Sequence, residues 1–527
     1  MTQAISIDIG TSGIRGQLLD LDRKKVVQTC MTSRNPLPGA NIMDHLDFAM
    51  ERGQKLAHDI LVGAVRQLIL ALAADKLECI AVCGNPIQLS LFEGIEVRDL
   101  AFAGENKLIS QGIVPPDRSG HVVSGDDIGI GESVDVIIPP AIRHEIGADA
   151  LAMMYKSGFL DNDMCMVTDY GTNAEMAIRV GDEIITGSAA AGPAIEGQHI
   201  KAGMLASPGA ISDLIQVPEG WRAMVLDERL EPREGALISL RGNTLKLKGR
   251  RASGITGTGV VALLHAGLEN ERIVLPHING GDIILGRGIK FTEADLLEAG
   301  KAIGAIRAGH LTLMARAGMD PSMLDTMYMA GASGTYVDAA KAWSVGMVPS
   351  TTRKIVQIGN TSLELAKDLA FDPELMDGLN EIRKNLLAHH VMFASSPTFS
   401  DIYVQELAYW TEGMSWERYL HNLGLMGICV PAVRGSSPII DRRRRTDIWE
   451  IGESLMTVDP MVQLIGSWDC DRCYRCVRAC PESALSLTND RFVIDTGRCL
   501  GTACRRCEEA CPSHALSFTG MELERSE

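Results

Sequence analysis

Residues 470–481 read CDRCYRCVRACP, and residues 499–512 read CLGTACRRCEEACP. Each stretch supplies four cysteines and ends in Cys-Pro. Four thiolates at this spacing let a short loop wrap around one iron–sulfur cube, so the pattern is typical of [4Fe–4S] ligands. A duplication supports this interpretation, because CVRACPESALSL at 476–487 recurs as CEEACPSHALSF at 507–518. The two stretches therefore predict a C-terminal module that carries electrons.

Disulfide bonds and zinc sites are the other interpretations of such dense cysteines. Disulfides form in oxidising compartments, whereas the chain starts MTQAISIDIG, without the basic and apolar segments of a secretion signal. Zinc sites usually pair two Cys-x-x-Cys knuckles across a longer loop. We therefore expect iron–sulfur chemistry in a reducing, low-oxygen cytoplasm. The five other cysteines are scattered, and we expect them to be reduced core residues: Cys30, Cys79, Cys83, Cys165 and Cys429.

The paired runs resemble those of two-cluster bacterial ferredoxins, in which the fourth cysteine of each run ligates the other cluster. This resemblance implies two ligand sets, namely Cys470, Cys473, Cys476 with Cys511, and Cys499, Cys504, Cys507 with Cys480. Six arginines lie inside or beside the runs: Arg472, Arg475, Arg478, Arg498, Arg505 and Arg506. We favour the interpretation that they balance the negative clusters; the alternative is that they dock an acidic electron-transfer partner.

Bulk composition excludes several classes of function. A chain of 527 residues is too long for a single core, so several domains are expected. The net charge of -17 argues against a nucleic-acid partner, because binding phosphates needs a basic face. No stretch approaches the ~18–20 apolar residues that span a bilayer, so no membrane partner is expected.

The N-terminal stretch ISIDIGTSGIRGQLLD at 5–20 predicts a strand, a tight turn and a second strand. Glycine at the turn lets backbone N–H groups approach a phosphate, so Gly10 is a candidate, and Thr11 and Ser12 add hydroxyl donors. Asp8, near the end of the strand, is placed to bind Mg²⁺ through water.

The same pattern returns near residue 165, and a third glycine turn follows later in the chain. CMVTDYGTNAEMAI at 165–178 again runs from an apolar strand into Asp169, Gly171 and Thr172, followed by a second strand. MAGASGT at 329–335 places a glycine turn after a third apolar strand, and such a turn brings the backbone close to a base or ribose. No GxxxxGK[ST] motif is present, so the sequence does not support a P-loop site.

The order and spacing of these turns resemble those of the acetate and sugar kinase, Hsc70 and actin superfamily, whose members clamp ATP between two ribonuclease-H-like lobes. The alternative is three unrelated glycine turns in an α/β protein. The resemblance implies an α/β, two-lobed ATPase that is followed by a small α+β ferredoxin domain. It also assigns three loops: a first phosphate loop of Asp8, Gly10, Thr11 and Ser12, a second of Asp169, Gly171 and Thr172, and an adenosine loop of Gly331, Ala332, Ser333 and Gly334.

A closer resemblance covers roughly residues 1–420. Several segments look, in order, like those of the reductive activators of corrinoid proteins, among them CGNPIQL at 83–89, AAGPAIEG at 190–197, SGITGTG at 253–259 and GNTS at 359–362. The usual bacterial members carry an N-terminal [2Fe–2S] domain. This chain ends instead with two [4Fe–4S] motifs, an arrangement that resembles the methylamine-related activators of methanogens.

The resemblance implies ATP-dependent reduction of Co(II) to Co(I), through two [4Fe–4S] clusters, so that a corrinoid-dependent methyltransferase regains activity. Asp8 and Asp169 would be catalytic, ATP and Mg²⁺ would bind at the loops, and the partners would be a corrinoid methyl-carrier protein and a low-potential electron donor. Two alternatives stay open: an ATP-driven reductase of another low-potential acceptor, and a nucleotide-sensing module without hydrolysis fused to a ferredoxin.

Composition also predicts the domain boundaries. We expect an ATPase domain over 1–430, with lobe I at about 1–160 and lobe II at about 161–430. The stretch PAVRGSS at 431–437 and the four-arginine run at 442–445 break the composition, so 431–464 is predicted to be a linker before a ferredoxin domain at 465–527. The arginine run is expected to be a solvated surface, with partner or nucleotide docking as the alternative.

Overall fold

The computed structural model describes most of the chain. The described residues are 2–39, 41–101, 105–131, 133–141, 146–171, 173–189, 199–240, 244–246, 248–331, 336–386, 390–432, 435–443, 450–460, 462–467, 469–488, 491–501, 504–518 and 521–523.

Strands are numbered in chain order over the described residues. They are β1 Gln3–Ile9, β2 Ile14–Asp20, β3 Lys25–Thr32, β4 Leu77–Gly84, β5 His121–Ser124, β6 Asp135–Ile138, β7 Met164–Tyr170, β8 Ala174–Val180, β9 Glu183–Ala189, β10 Ala210–Val217, β11 Gly220–Leu226, β12 Pro232–Ser239, β13 Thr244–Lys246, β14 Gly254–Ile255, β15 Ile273–Val274, β16 His277–Ile278, β17 Ile283–Gly286, β18 Ile289–Phe291, β19 Thr326–Ala330, β20 Lys354–Gly359, β21 His390–Val391, β22 Ile439–Arg442, β23 Leu455–Val458, β24 Gln463–Gly466, β25 Leu485–Thr488, β26 Arg491–Asp495 and β27 Glu522–Leu523.

Helices are numbered in the same way. They are α1 Ile42–Arg52, α2 Gln54–Leu72, α3 Pro86–Glu93, α4 Arg98–Ala101, α5 Glu105–Ser110, α6 Gly125–Ile128, α7 Ala148–Ser157, α8 Gly257–Glu269, α9 Glu293–Arg316, α10 Ala339–Val345, α11 Thr361–Phe371, α12 Leu375–Leu386, α13 Pro397–Thr411, α14 Trp416–Leu425, α15 Arg475–Ala479 and α16 Arg506–Glu509. Short 3₁₀ turns cover Phe159–Asp161, Pro321–Met323 and Phe393–Ser395. No helix among the described residues is both long and apolar enough to cross a membrane.

The chain forms two compact units. The first unit comprises residues 1–149, 365–384 and 450–527, and the second comprises 150–364 and 385–449. Each unit contains a seven-stranded sheet, with the strand order β23-β3-β2-β1-β4-β6-β5 in the first unit and β21-β9-β8-β7-β19-β20-β22 in the second.

The two large sheets share one plan. In the first, β1, β2 and β3 form an antiparallel meander, and β4 and then β6 continue the sheet in parallel with β1. In the second, β7, β8 and β9 form the meander, and β19 and then β20 run parallel to β7. The first strands, β1 and β7, are buried along nearly their whole length, as central strands covered on both faces must be. This duplicated topology confirms the predicted pair of ribonuclease-H-like lobes.

The segment predicted to be a linker supplies an edge strand to each large sheet. Strand β22 pairs in parallel with β20, and β23 pairs in parallel with β3. Two residues of the arginine run are engaged inside the second unit, because Arg442 forms an ion pair with Asp338 at 2.9 Å and Arg443 donates to the carbonyl of Ser157 at 3.1 Å. Arg444 and Arg445 lie outside the described residues. The domain boundaries themselves stay a prediction.

The long helix α9 organises the core of the second unit. It begins with a capping box, in which the Thr292 hydroxyl accepts from the N–H of Asp295 and the Asp295 carboxylate accepts from the N–H of Thr292. Two of its glycines let α13 approach closely, since a Cβ on Gly300 would come within 3.0 Å of Trp410 and one on Gly304 within 3.1 Å of Glu406. Three further helices, α12, α13 and α14, follow between Leu375 and Leu425.

A buried ion pair ties α9 to α13 and α14. The Arg307 guanidinium donates to the Glu406 carboxylate at 2.8 Å, and the Glu406 side chain is fully buried. The Tyr419 hydroxyl donates to the same carboxylate and accepts from Arg307 at 3.2 Å. The guanidinium carbon also lies 5.7 Å from the centroid of the Trp416 ring. Each charged group is therefore both paired and hydrogen-bonded, which is the condition for keeping charge in a core.

Replacing Arg307 by alanine should destabilise the second unit by about 3–5 kcal/mol, because the Glu406 carboxylate would be left buried without its partner. The free energy of unfolding in urea measures this. Arg98→Ala is a suitable control, since its pair with Glu96 lies at the surface with half of the arginine side chain exposed, and it should change stability little. Equal losses in both variants would contradict a special role for the buried pair.

The four C-terminal strands form a separate small sheet in the first unit, in the order β25-β26-β24-β27. The short helices α15 and α16 each carry the third cysteine of a run, Cys476 and Cys507. The residue before each helix, Tyr474 and Arg505, has a left-handed backbone with φ of 58° and 52°. The duplicated sequence therefore gives a duplicated local fold.

Four of the five cysteines outside the runs are buried, as expected: Cys30, Cys79, Cys83 and Cys165. Burial raises the pKa of the Cys30 and Cys79 thiols to about 11 and that of Cys165 to about 12, so these thiols are unreactive. The expectation of a core position is wrong for Cys429, which is exposed. It follows the turn at Gly427, beyond the end of α14.

Candidate nucleotide loops and cluster cavities

The first phosphate loop joins β1 to β2. Asp8 lies near the carboxyl end of β1, opposite Arg15 on β2 and beside Cys83 on the parallel strand β4. The N–H of Gly10 donates to the carbonyl of Gly13 at 3.1 Å and so closes the turn. The sequence prediction of a strand–turn–strand hairpin is confirmed at this loop.

The structure adds Asn85 to this loop, a residue to which the sequence gave no role. Asn85 directly follows β4, and its side-chain N–H donates to the Thr11 hydroxyl at 3.3 Å. Its side-chain oxygen accepts from the N–H of Gln88 at 2.9 Å and so caps α3. Asn85 thus links the phosphate loop to a helix start. The available signal was the Gly-Asn-Pro sequence at the end of an apolar strand.

The second unit repeats this arrangement. Asp169 lies near the end of β7, beside Ala330 on the parallel strand β19. The N–H of Gly171 donates to the carbonyl of Asn173 at 3.2 Å and closes the turn into β8. On the next parallel strand, Asn360 follows β20 and accepts from the N–H of Leu363 at 3.0 Å, at the start of α11. Each unit therefore has a strand-end aspartate, a glycine turn and a strand-end asparagine.

Gly331 connects the second phosphate loop with the predicted adenosine loop. Its φ is +80°, and a Cβ at this position would overlap the carboxylate of Asp169. The structure therefore brings Asp169 and the first residue of the adenosine loop into direct contact. Four other residues assigned to the nucleotide site lie outside the described residues: Thr172, Ala332, Ser333 and Gly334.

Replacing Gly331 by alanine should lower the predicted ATP turnover by about 10²-fold, because the new methyl group would displace the carboxylate of Asp169, which the sequence predicts to be catalytic, and a shift of about 1 Å at a reacting centre has that effect. Gly318→Ala is the control, since it has a comparable φ of +61° but open space around its Cβ. If Gly318→Ala loses as much turnover as Gly331→Ala, backbone strain rather than the carboxylate explains the loss.

Two cavities in the C-terminal module gather the eight cysteines in two sets of four. One cavity, of about 450 Å³ including its open mouth, is lined by Cys470, Cys473, Cys476 and Cys511 together with apolar side chains such as Leu487 and Phe492. The other, of about 390 Å³, is lined by Cys480, Cys499, Cys504 and Cys507 together with Phe518. These are the two sets that the resemblance to ferredoxins implied, with the fourth cysteine of each run exchanged.

The surroundings of the thiols fit iron–sulfur clusters. Backbone N–H groups point at cysteine sulfurs, from Ala484 to Cys480 at 3.2 Å and from Gly501 to Cys499 at 3.4 Å. Such donors stabilise thiolate charge. Burial raises the pKa of Cys499 to about 12, and a bound cluster would supply positive charge that stabilises its thiolate.

The two cavities differ in their surroundings. At the first cavity Cys473 is exposed and the Tyr474 side chain is 47% exposed. At the second, Phe518 packs edge-on against Phe48 of α1, with ring centroids 6.1 Å apart, and the Arg52 guanidinium lies 4.9 Å from the Phe518 centroid. The rim of the first cavity therefore faces solvent at Cys473 and Tyr474, and the second cavity is packed against α1.

Charge pairs fasten the second cavity to α1. Arg52 forms an ion pair with Glu508, and Arg505 forms one with Glu51. Arg505 was one of the six arginines for which partner docking was the alternative. In the structure it is engaged within its own unit, which favours an internal role for it.

The comparisons with known proteins agree with this geometry. Residues 3–162 match the model of the RACo middle region. Residues 163–420 match the C-terminal domain of RACo, which is the ASKHA domain. Residues 469–515 match the 4Fe-4S dicluster domain. A curated relative from Methanosarcina barkeri, "[Co(II) methylated amine-specific corrinoid protein] reductase", is 45% identical over 95% of this chain and 95% of its own length.

The chain belongs to the family of reductive activators of corrinoid proteins.

A second relative of this activator is the "Corrinoid activation enzyme RamQ" of Eubacterium limosum, which is 25% identical and covers 76% of the activator and 69% of that protein. A solved "Reductive activator for corrinoid,iron-sulfur protein" has the same fold, with a TM-score of 0.62 at 22% identity. The match covers 77% of the activator and 66% of that chain. The activator is thus an iron–sulfur oxidoreductase that combines an ASKHA-type region with a 4Fe-4S dicluster module, as the sequence predicted.

Proposed function

We propose that the activator uses the binding and hydrolysis of MgATP to transfer one electron through two [4Fe–4S] clusters to the Co(II) of a corrinoid methyl-carrier protein. The product, Co(I), is the nucleophilic state that accepts methyl groups, so the dependent methyltransferase regains activity. One observation carries this proposal: the four-cysteine cavities and the first phosphate loop belong to one compact unit of the chain.

The reduction requires an energy source. Each ~59 mV by which the donor falls short of the cobalt costs about 1.4 kcal/mol for a one-electron step. A nucleotide contributes this energy only if its affinity differs between two conformations of the complex. A loop residue that is hydrogen-bonded to another element can transmit such a difference in affinity. Thr11 is one, because its hydroxyl accepts from the Asn85 side chain.

In the nucleotide-binding region, the strand-end carboxylates of Asp8 and Asp169 would hold hydrated Mg²⁺ and orient the attacking water. The glycine turns after them present backbone N–H groups, and Thr11, Ser12 and Thr172 add hydroxyls that stabilise charge on the transferred phosphoryl group. ATP and water give ADP and phosphate in this step. Asn85 would position the first loop, since it caps α3 and donates to the Thr11 hydroxyl.

In the electron-carrying region, each set of four cysteines would hold one cluster, which when bound accepts and donates one electron at a time. The set of Cys470, Cys473, Cys476 and Cys511 would exchange electrons with an external protein, because Cys473 is exposed and electron transfer needs a short distance. A low-potential donor would supply the electron.

The corrinoid partner that we propose is the methylamine-specific one. The support is the similarity to the methylated amine-specific reductase of Methanosarcina barkeri, at 45% identity over nearly the whole chain. The reducing conditions that such clusters and reduced thiols need also favour a cytoplasmic location.

The test combines the purified activator, a Co(II) methylamine corrinoid protein, a low-potential reductant and MgATP without oxygen. The corrin spectrum reports Co(I), and released phosphate reports hydrolysis. We expect Co(I) only when activator and MgATP are both present, with faster hydrolysis when the corrinoid protein is added. Co(I) formation without nucleotide would contradict the coupling. Hydrolysis that drives reduction of other acceptors but not cobalt would identify another reductase, and binding without hydrolysis would identify a nucleotide sensor.

A further inference from the structure

A short segment of the first unit touches both the first phosphate loop and the second cluster cavity. This segment, residues 33–39, reads SRNPLPG and follows β3. We call it the strap. It has two prolines, Pro36 and Pro38, which fix φ and make the segment stiff. Leu37 between them is 1% exposed and anchors the strap in the core.

Asn35 holds the phosphate loop from one end of the strap. Its side-chain N–H donates to the carbonyl of Gly10 at 2.8 Å, and its backbone N–H donates to the carbonyl of Ser12 at 2.9 Å. Its side-chain oxygen accepts from the N–H of Leu37 at 2.9 Å. Asn35 is 6% exposed, and both the N–H group and the oxygen of its side-chain amide are hydrogen-bonded. Movement of the loop therefore moves the strap.

The other end of the strap supports the loop that carries Cys499. The N–H of Gly39 donates to the carbonyl of Cys499 at 3.1 Å. Gly501, which donates its N–H to the Cys499 sulfur, has φ of +58°, and a Cβ there would lie 3.0 Å from the carbonyl of Pro38. The strap thus contacts the residue whose N–H tunes a cluster sulfur.

Arg34 makes a second, charged connection. Its guanidinium lies 3.5 Å from the carboxylate of Asp495 and 3.7 Å from that of Asp459. The Arg34 side chain also packs against Gly497, where an added Cβ would overlap the guanidinium. Asp495 accepts from the N–H of Cys499 through its carbonyl. Two contiguous routes therefore run from Gly10 and Ser12 to Cys499.

We infer that Asn35 is a positioning residue that couples nucleotide at the first phosphate loop to the cluster held by Cys480, Cys499, Cys504 and Cys507. This inference rests on the proposed function. Occupancy of the loop shifts the strap, the strap shifts Gly501 against the Cys499 sulfur, and the potential of this cluster changes. The strap contacts Cys499 and Gly501, which line the cavity of this cluster and not the other one, so the cluster at the solvent-facing cavity keeps its potential.

Linkage gives two measurable consequences. An allosteric coupling of typical size changes an equilibrium about tenfold. MgADP should therefore change the oxidised-to-reduced ratio of this cluster by about tenfold at a fixed potential, a shift of ~59 mV for one electron. By reciprocity, the Kd of MgADP should differ by the same factor between oxidised and reduced activator.

The experiment uses the full chain with both clusters assembled. Electron paramagnetic resonance during a redox titration, with and without MgADP, gives the potentials, and calorimetry on oxidised and reduced protein gives the two Kd values. The Cys473→Ser variant should change the paramagnetic signal of the solvent-facing cluster. The signal that stays unchanged in this variant is then assigned to the cluster held by Cys480, Cys499, Cys504 and Cys507. We expect the wild type to show the shift at that other cluster, and Asn35→Ala to lose both the shift and the Kd difference.

The control is Asn380→Ala, which removes another asparagine whose amide bridges backbone groups of the first unit, at Gly120, and should leave the coupling intact. If Asn35→Ala fails to assemble its clusters, Asn35→Asp replaces it, because aspartate keeps the acceptor for Leu37 and loses the donor to Gly10. Equal Kd values in wild type, or a shift that survives in the Asn35 variant, would overturn the inference while ATP-driven Co(I) formation stands. Absence of MgADP binding would instead overturn the proposed function.

Discussion

Replacing Asp8 or Asp169 by asparagine is expected to abolish ATP-dependent formation of Co(I), with a loss of about 10²–10³-fold or more. Asparagine keeps the shape of the side chain and removes its charge. Both carboxylates lie near the carboxyl end of the first strand of a lobe, immediately before a glycine turn. A neutral amide attracts hydrated Mg²⁺ less strongly than a carboxylate does and accepts no proton from the attacking water.

The measurement compares phosphate release and the Co(I) spectrum in the same sample. Both should fall together, while iron and sulfide contents stay at the wild-type level, because neither aspartate lines a cluster cavity. Asp182→Ala is the matched control, since this exposed aspartate lies in the turn between β8 and β9 of the same sheet as Asp169. Full activation by either asparagine variant would contradict the assignment of these two residues.

Replacing one cysteine of either set by serine is expected to interrupt electron transfer while ATP binding persists. Cys473→Ser and Cys504→Ser each remove one soft thiolate from a different cavity, and soft thiolates are the ligands that iron–sulfur clusters require. Loss of one cluster should lower the iron content from about eight to about four atoms per chain. Co(I) formation should then fall below detection in both variants.

Cys429→Ser supplies the control, because this exposed cysteine lies in the second unit and lines neither of the two cluster cavities. Its iron content and activity should match the wild type. The variants also separate the two ligand sets: Cys480→Ser should alter the same cluster signal as Cys504→Ser, although Cys480 belongs to the first run in sequence. If Cys480→Ser instead alters the Cys473 signal, the exchange of fourth cysteines is wrong.

Local chemistry made much of this protein predictable. Four thiolates in a short run have few uses, and an apolar strand that ends in aspartate and glycine favours a phosphate loop wherever it lies. The strand–turn features at 5–20 and 165–178 are therefore found where the sequence placed them, and the third apolar strand ends at Ala330 as predicted, while residues 332–335 of its turn lie outside the described residues. Their chemistry depends on neighbours within a few positions, which a sequence displays directly.

The sequence did not reveal residues whose positions depend on strands far away along the chain. Asn85 meets Thr11 because β4 lies beside β1, and Asn360 gains its position from the pairing of β20 with β19. The edge strands β22 and β23 lie in a stretch whose composition indicated a linker. Strand pairing is decided by which edges remain open in the folded sheet, and composition contains little of that information.

The sequence by itself determined that this chain carries iron–sulfur chemistry and an ASKHA-type region, because cysteine spacing and strand–glycine patterns are local. Only the tertiary structure decided that one cavity faces solvent while the other is fastened to the first lobe. The ion pair of Arg52 with Glu508 joins residues 456 positions apart. Such contacts arise from complementary charge and shape after the chain has folded, so the unequal surroundings of two nearly identical cysteine runs are a property of the fold.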